Sequence, residues 1–295
     1  MGDFRRVAVF GGVYSNHLAL RAAVDDARSR GAEALICLGD LGAFGPHPDR
    51  VFPLLRDEGI PVVRGNYDDS LARGLDDCQC GYTDPRDNHF AHLSYRYTFE
   101  NTSPRNRRWM AGLPRSLRFR LGGLEVLACH GSPRQMNEFL WETTTPTHFL
   151  TRLVREHGAD VGLGTHTGLH WSRGWDGDGE GLAGLPAADA SGPAAPPPLP
   201  SGSVGLPPGG GAWVNAGALG RPANDGRTEV WYALLEGRGR ELDVTFVPVA
   251  YDHARLADEM RAEGLPEEFV ETILTGWWTT CLEILPGKER ARGRF

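Results

Sequence analysis

Ala34-Leu35-Ile36-Cys37-Leu38-Gly39-Asp40 is the stretch on which the architecture turns. Five apolar residues stop abruptly at a glycine and a carboxylate, the pattern of a buried strand that delivers an acid at its carboxyl end. Upstream, Val7 to Phe10 reads as a second such strand. It is followed by the loop Gly11 to Asn16 and by an amphipathic helix from His17 to Arg30, with Leu18, Leu20, Ala23, Val24 and Ala27 near helical spacing and Gly31 as its stop. Downstream, a Pro53-interrupted helix from Pro48 to Glu58 leads into a third strand, Pro61 to Val63, ending in Arg64-Gly65-Asn66. Strands alternating with helices define an α/β chain.

The plan continues toward the C-terminus. Leu75 to Thr102 is polar, aromatic and rich in turn formers, and reads as an irregular excursion or short helices. A helix over Pro104 to Leu113 precedes a hairpin whose arms, Leu117 to Leu121 and Leu124 to Ala128, flank Gly122-Gly123. The second arm runs into Cys129-His130. A helix from Thr147 to His157 leads to a strand from Asp160 that ends near Thr165-His166. From Gly174 to Gly211, 19 of 38 residues are glycine or proline, which reads as a flexible surface insertion. Trp213-Val214-Asn215, a hairpin from Val230 to Val249, helices starting near His253 and Pro266, and a basic tail over 286–295 complete one domain spanning 1–295.

Composition narrows the function. The chain has 295 residues and a net charge of -7, so it offers no broad electrostatic footprint for nucleic acid. Lys288 is the single lysine beside thirty arginines, which excludes a Walker A loop and Schiff-base chemistry in a core. Five cysteines, with no apolar leader before the first strand, argue against disulfides and for a reducing cytoplasm. Cys78 and Cys80 lack a second pair to complete a zinc site, so a structural role is expected of them. No apolar run is long enough to span a bilayer.

Asp40, Asn66, His130 and His166 each follow an apolar strand-like run, and such positions converge on the crevice at the strands' carboxyl ends. A carboxylate, an amide oxygen and two imidazoles suit manganese, iron or zinc. With these residues in place, the sequence resembles the calcineurin-like metallophosphoesterase superfamily, in its small bacterial and archaeal phosphodiesterase-like branch. The matching strings are Gly39-Asp40-Leu41, Gly65-Asn66-Tyr67-Asp68, His130-Gly131-Ser132-Pro133, Asp160 to Thr167 and Asn215-Ala216-Gly217, in the family's order. The resemblance implies a four-layer αββα sandwich of two mixed sheets flanked by helices. It also implies two metal ions that clamp a phosphate and activate water.

Departures cluster on one of those two seats. Gly12-Val13-Tyr14 stands where the family has aspartate, any residue, histidine, and Gly168 stands where it has a second late histidine. Asp40, Asn66, His130 and His166 correspond to the complete set for the other seat, so one ion is expected rather than two. The histidine that follows the family's asparagine is Tyr67 here, leaving Tyr67, Asp68 and Tyr14 as candidates for proton transfer or phosphate contact. Asn16 and Arg64 are candidate substrate donors. The expected activity is hydrolysis of a phosphoester, either a phosphorylated small molecule or a nucleotide-like compound. The alternative is a non-catalytic module that binds a phosphorylated ligand on the same fold.

Overall fold

Alternate residues of the deciding strands serve two different cores. In the computed structural model, which describes residues 2–185 and 201–293, Ala8, Phe10, Leu35 and Cys37 pack in one apolar cluster while Val7, Val9, Ile36 and Leu38 pack in another. A strand with both faces buried carries apolar residues at every position, which is why these runs are continuous.

In chain order the strands are β1 (Asp3–Phe4), β2 (Arg6–Phe10), β3 (Ala34–Cys37), β4 (Ser116–Leu121), β5 (Leu124–Cys129), β6 (Val161–Gly164), β7 (His170–Trp175), β8 (Gly181–Leu182), β9 (Ser201–Gly205), β10 (Gly211–Ala216), β11 (Val230–Arg238) and β12 (Glu241–Val249). The helices are α1 (His17–Ser29), α2 (Val51–Asp57), α3 (Asn66–Arg73), α4 (Pro85–Asn101), α5 (Pro104–Ala111), α6 (Thr147–Glu156), α7 (His253–Ala262), α8 (Glu267–Thr275) and α9 (Gly287–Arg290). One sheet is ordered β3-β2-β11-β12-β9 and the other β1-β4-β5-β6-β10-β7-β8. Both are mixed: β2 pairs parallel with β3 and antiparallel with β11, and β10 pairs parallel with β6 and antiparallel with β7.

The sheets face each other across a core that joins Val7, Val9 and Ile36 to Val126, Leu163 and Val214. Outside the five-stranded sheet, Leu20, Ala23 and Val24 of α1 and Phe52 and Leu55 of α2 form the helical layer. Outside the seven-stranded sheet, Leu150, Leu153 and Val154 of α6 cover Trp171, Trp175 and Trp213. This is the expected four-layer α/β sandwich. Among the described residues no helix is long and apolar enough to cross a membrane.

Several elements differ from the sequence reading. Pro61 to Val63 contributes one isolated bridge, Cys37 to Val62, and no strand. The stretch read as irregular holds the 17-residue α4, capped by Asp84, whose carboxylate accepts from Arg86 N at 2.7 Å. Its buried face alternates Phe90, Ala91, Ser94, Tyr95 and Thr98, and the polar members mask the helical period. The Gly/Pro-rich segment is no simple surface insertion, because it carries β8 and β9, which pair with the edges of β7 and β12. Its residues 186–200 lie outside the described residues. The basic tail is docked: Glu289 is 2% exposed and accepts from Thr143 N, and Arg292 pairs with Glu142 at 2.7 Å.

The β4–β5 turn shows how tightly the two sheets meet. Gly122 has φ +58°, and a Cβ there would stand 2.0 Å from the Gly237 carbonyl oxygen at the start of the β11–β12 turn. Gly122→Val adds a backbone clash to a left-handed conformation. It is expected to lower the unfolding free energy by about 3 kcal/mol, read from a shifted urea midpoint. An unchanged midpoint would show that the sheet ends are free to separate.

Candidate metal centre

The carboxyl ends of β3, β5 and β6 open on one point. Asp40 follows β3 in one sheet, His130 and His166 follow β5 and β6 in the other, and Asn66 begins α3. His130 Nε2 lies 3.2 Å from Asp40 Oδ2 and 3.1 Å from His166 Nδ1. One ligand atom from each of Asp40, His130 and His166 falls within 4.8 Å of the others. Asp40, Asn66 and His130 are almost completely buried and His166 is partly exposed.

Backbone carbonyls fix both imidazole tautomers. His130 Nδ1 donates to Leu38 O at 2.7 Å, which leaves the Nε2 lone pair free. His166 Nε2 donates to Cys80 O at 3.2 Å, which leaves Nδ1 free. These free nitrogens face each other beside a carboxylate, as adjacent donors about 2.1 Å from a shared cation would. The Asn66 amide completes the set. Its Nδ2 donates to Cys78 O at 2.8 Å and contacts Cys80 Sγ at 3.4 Å, while Oδ1 is buried without a hydrogen-bond partner. A buried amide oxygen with no donor is costly unless a cation meets it. The residues therefore fit a divalent ion.

The electrostatics follow from the same contacts. Burial pushes His166 down, and the neighbouring His130 pushes it further, to about 3, so it stands as a neutral imidazole ready to ligate. Burial would lower His130 as well, but the Asp40 carboxylate overrides it and holds it above the ordinary value. Burial would raise Asp40, yet His130 and then His166 bring it below the ordinary carboxylate range. The Asp40 carboxylate is therefore held in its charged form.

Asp68 and Tyr67 hold this geometry in place. Asp40 sits at φ +54°, an uncomfortable region for a residue with a side chain. Tyr67 N donates to Asp40 Oδ1 at 3.0 Å, and the fully buried Asp68 carboxylate accepts from Asp40 N, Leu41 N and Gly65 N. Burial and the nearby Asp40 push Asp68 up to about 6, and the backbone N–H groups of Leu41 and Gly65 oppose that rise. The Tyr67 hydroxyl is 3.0 Å from Ser94 Oγ, to which it donates.

The other residues named from the sequence sit elsewhere. Asn16 caps α1, accepting from Ala19 N while its Nδ2 donates to Gly220 O. Arg64 is bound to Asp69, Leu113 O and Ala111 O. Tyr14 is buried beside Asp40, and burial and then the Asp40 charge raise its hydroxyl far above the ordinary value. A Cβ on Gly12 would stand 2.9 Å from the Tyr14 ring, and one on Gly168 would stand 3.3 Å from Trp278. Aromatic rings thus fill the spaces that side chains at 12 and 168 would need.

Two features escaped the sequence reading. Cys78 and Cys80 are joined as a disulfide, contrary to expectation: the turn at Gln79, φ +51°, brings their Cα atoms to 5.3 Å, within bridging range. Backbone carbonyls of this loop hold both Asn66 and His166, and carbonyls leave no trace in residue identity. Arg221 is the other; it lines a small void with Tyr14, His166, Thr167 and Trp278. A surface hollow of about 830 Å³ is lined by the turns around Gly122 and Gly239 and by none of the ligand residues.

The described geometry belongs to a known class. The calcineurin-like phosphoesterase superfamily domain matches residues 6–167, more than half of the chain, and the protein is a member of that superfamily. It is 23% identical over 270 residues to the uncharacterized protein MJ0912 of Methanocaldococcus jannaschii, covering 92% of this chain and 98% of that one. Its fold is similar to that of a metallophosphoesterase from Sphaerobacter thermophilus, with TM-score 0.63, 23% identity and coverage of 92% and 99%. It is also similar to the hypothetical protein PH1004 of Pyrococcus horikoshii OT3, with TM-score 0.66, 21% identity and coverage of 95% and 100%.

Asp68→Ala strands three buried N–H groups and frees the Asp40 loop. Thermal or urea unfolding should show a loss of about 3 kcal/mol or more. A near-neutral effect would mean that water or a shifted backbone satisfies those donors.

Proposed function

We propose that the protein is a metal-dependent phosphoesterase with a mononuclear centre held by Asp40, Asn66, His130 and His166. The observation that carries this reading is the unpartnered Asn66 Oδ1 beside two imidazole lone pairs and a charged carboxylate. Manganese, iron or zinc suits such mixed oxygen and nitrogen donors. When bound, the ion supplies a Lewis acid for a phosphoryl oxygen and lowers the pKa of a water. The protein's part is to fix the four donors: Leu38 O and Cys80 O orient the imidazoles, and Tyr67 N and Asp68 hold the Asp40 turn.

Proton supply shapes the substrate class. Tyr67 gives its hydroxyl proton to Ser94, and Asp68 is occupied by three backbone N–H groups. The leaving group therefore departs with little help, which favours esters of acidic alcohols or phenols and phosphoanhydrides. The proposed substrate is a phosphorylated small molecule or nucleotide, and the expected cytoplasmic location loses its cysteine argument with the Cys78–Cys80 disulfide.

The test is hydrolysis of aryl phosphodiesters and monoesters of graded leaving-group pKa by protein loaded with manganese, iron or zinc. Turnover should require the metal and fall steeply as the leaving group becomes more basic. It should drop at least about 100-fold in His130→Ala and Asp40→Asn. Turnover that survives both substitutions contradicts the assignment. A specific observation favours the second reading, a phosphate-binding module: Tyr14 and Trp278 fill the neighbouring seat. Tight phosphate binding without turnover of any ester would establish it.

A further inference from the structure

Arg221 is 5% exposed, yet among the described residues it forms no ion pair. One of its terminal nitrogens donates to Thr280 O at 2.6 Å, and the guanidinium lies 3.7 Å from the Trp278 ring centroid and 5.1 Å from that of Phe44. The titratable groups around it are Cys281, Tyr82, Tyr14 and Asp87. Burial pushes up the Cys281 thiol and the Tyr82 phenol, which are neutral near pH 7. Asp87, also raised by burial, accepts from Ile284 N at 2.9 Å through Oδ2, while its Oδ1 is buried without a hydrogen-bond partner, and among the described residues Asp87 forms no ion pair with Arg221. An arginine cannot shed its proton, and a buried guanidinium without an ion-pair partner is costly.

The location of this charge is informative. Tyr14 and Trp278 occupy the spaces beside Gly12 and Gly168, and Trp278 is the ring on which Arg221 stacks. Arg221, Tyr14, His166 and Thr167 then enclose a void of about 20 Å³. That space admits one oxygen atom and no larger group. The space beside Gly12 and Gly168 is thus an aromatic box holding a fixed positive charge.

We propose that Arg221 is an anion-binding residue that takes a non-bridging phosphoryl oxygen of the substrate, supplying the positive charge of the absent second ion. The proposal rests on the mononuclear reading above. It assigns to the substrate a phosphoryl group held from two sides, by the ion and by the guanidinium. Arginine suits the role because its planar donors can stay stacked on Trp278 while the edge faces the anion.

The experiment measures binding of inorganic phosphate to the full chain, with and without manganese, by calorimetry, together with metal content and thermal midpoint. Manganese-loaded wild type should bind phosphate and the metal-free chain should bind it at least about 10-fold more weakly. Arg221→Gln should weaken binding about 10- to 100-fold at unchanged metal content. Arg221→Lys, which keeps the charge but loses the planar fork, should weaken it about 5-fold and serves if the glutamine variant fails to fold. Unchanged phosphate affinity in the folded variants overturns the proposal and makes Arg221 a structural cation for Trp278 and Phe44. Failure of the wild type to retain manganese would instead refute the metal reading, so the two failures are distinguishable.

Discussion

The bond from His130 Nδ1 to the Leu38 carbonyl, 2.7 Å long and buried, fastens the two sheets to each other at the candidate metal centre. Leu38 continues the strand β3 of the five-stranded sheet, and His130 follows β5 of the seven-stranded one. Any displacement of one sheet against the other would break this bond, turn the imidazole and remove its Nε2 from Asp40. The apolar layer between the sheets is therefore a positioning device as well as a source of stability. Gly122, pressed against Gly237 at another meeting point of the sheets, adds to the same rigidity.

The candidate ligand set and the residues packed beside it are held by different constraints. The retained donors are interlocked: Asp40 with Tyr67 N and Asp68, Asn66 and His166 with the Cys78–Cys80 loop, His130 with Leu38 O. Beside them, Arg221 stacks on Trp278 and, with Tyr14, packs on Phe44. The result is a centre with one buried, polar half and one aromatic, cationic half. That asymmetry fits an anion that must be both ligated and neutralised.

Much of this was legible in the sequence. Residues buried on both faces of β2 and β3 leave continuous apolar runs, and the polar residue that ends each run marks the crevice. Asp40, His130 and His166 stood out because strand ends are local features, and Asn66 because an apolar run, here only an isolated bridge, precedes it. Asp68 was visible as an acid but not as the acceptor of three N–H groups, since backbone donors carry no side-chain signature. The Cys80 carbonyl was invisible for the same reason. Helix α4 hid because its buried face includes Ser94 and Thr98, and the glycine and proline content of 174–211 concealed the edge strands β8 and β9. Arg221 could not be placed at all from sequence, because its meaning depends on Trp278, 57 positions away in the chain (278 − 221).

The most direct measurement is anomalous X-ray diffraction at the metal edge from crystals of the manganese-loaded full chain. The account predicts one ion per chain, bonded by His130 Nε2, His166 Nδ1, Asp40 and Asn66 Oδ1, with Tyr14 and Arg221 unligated beside it. Two ions bridged by Asp40, or a single ion bound away from these four residues, would contradict it.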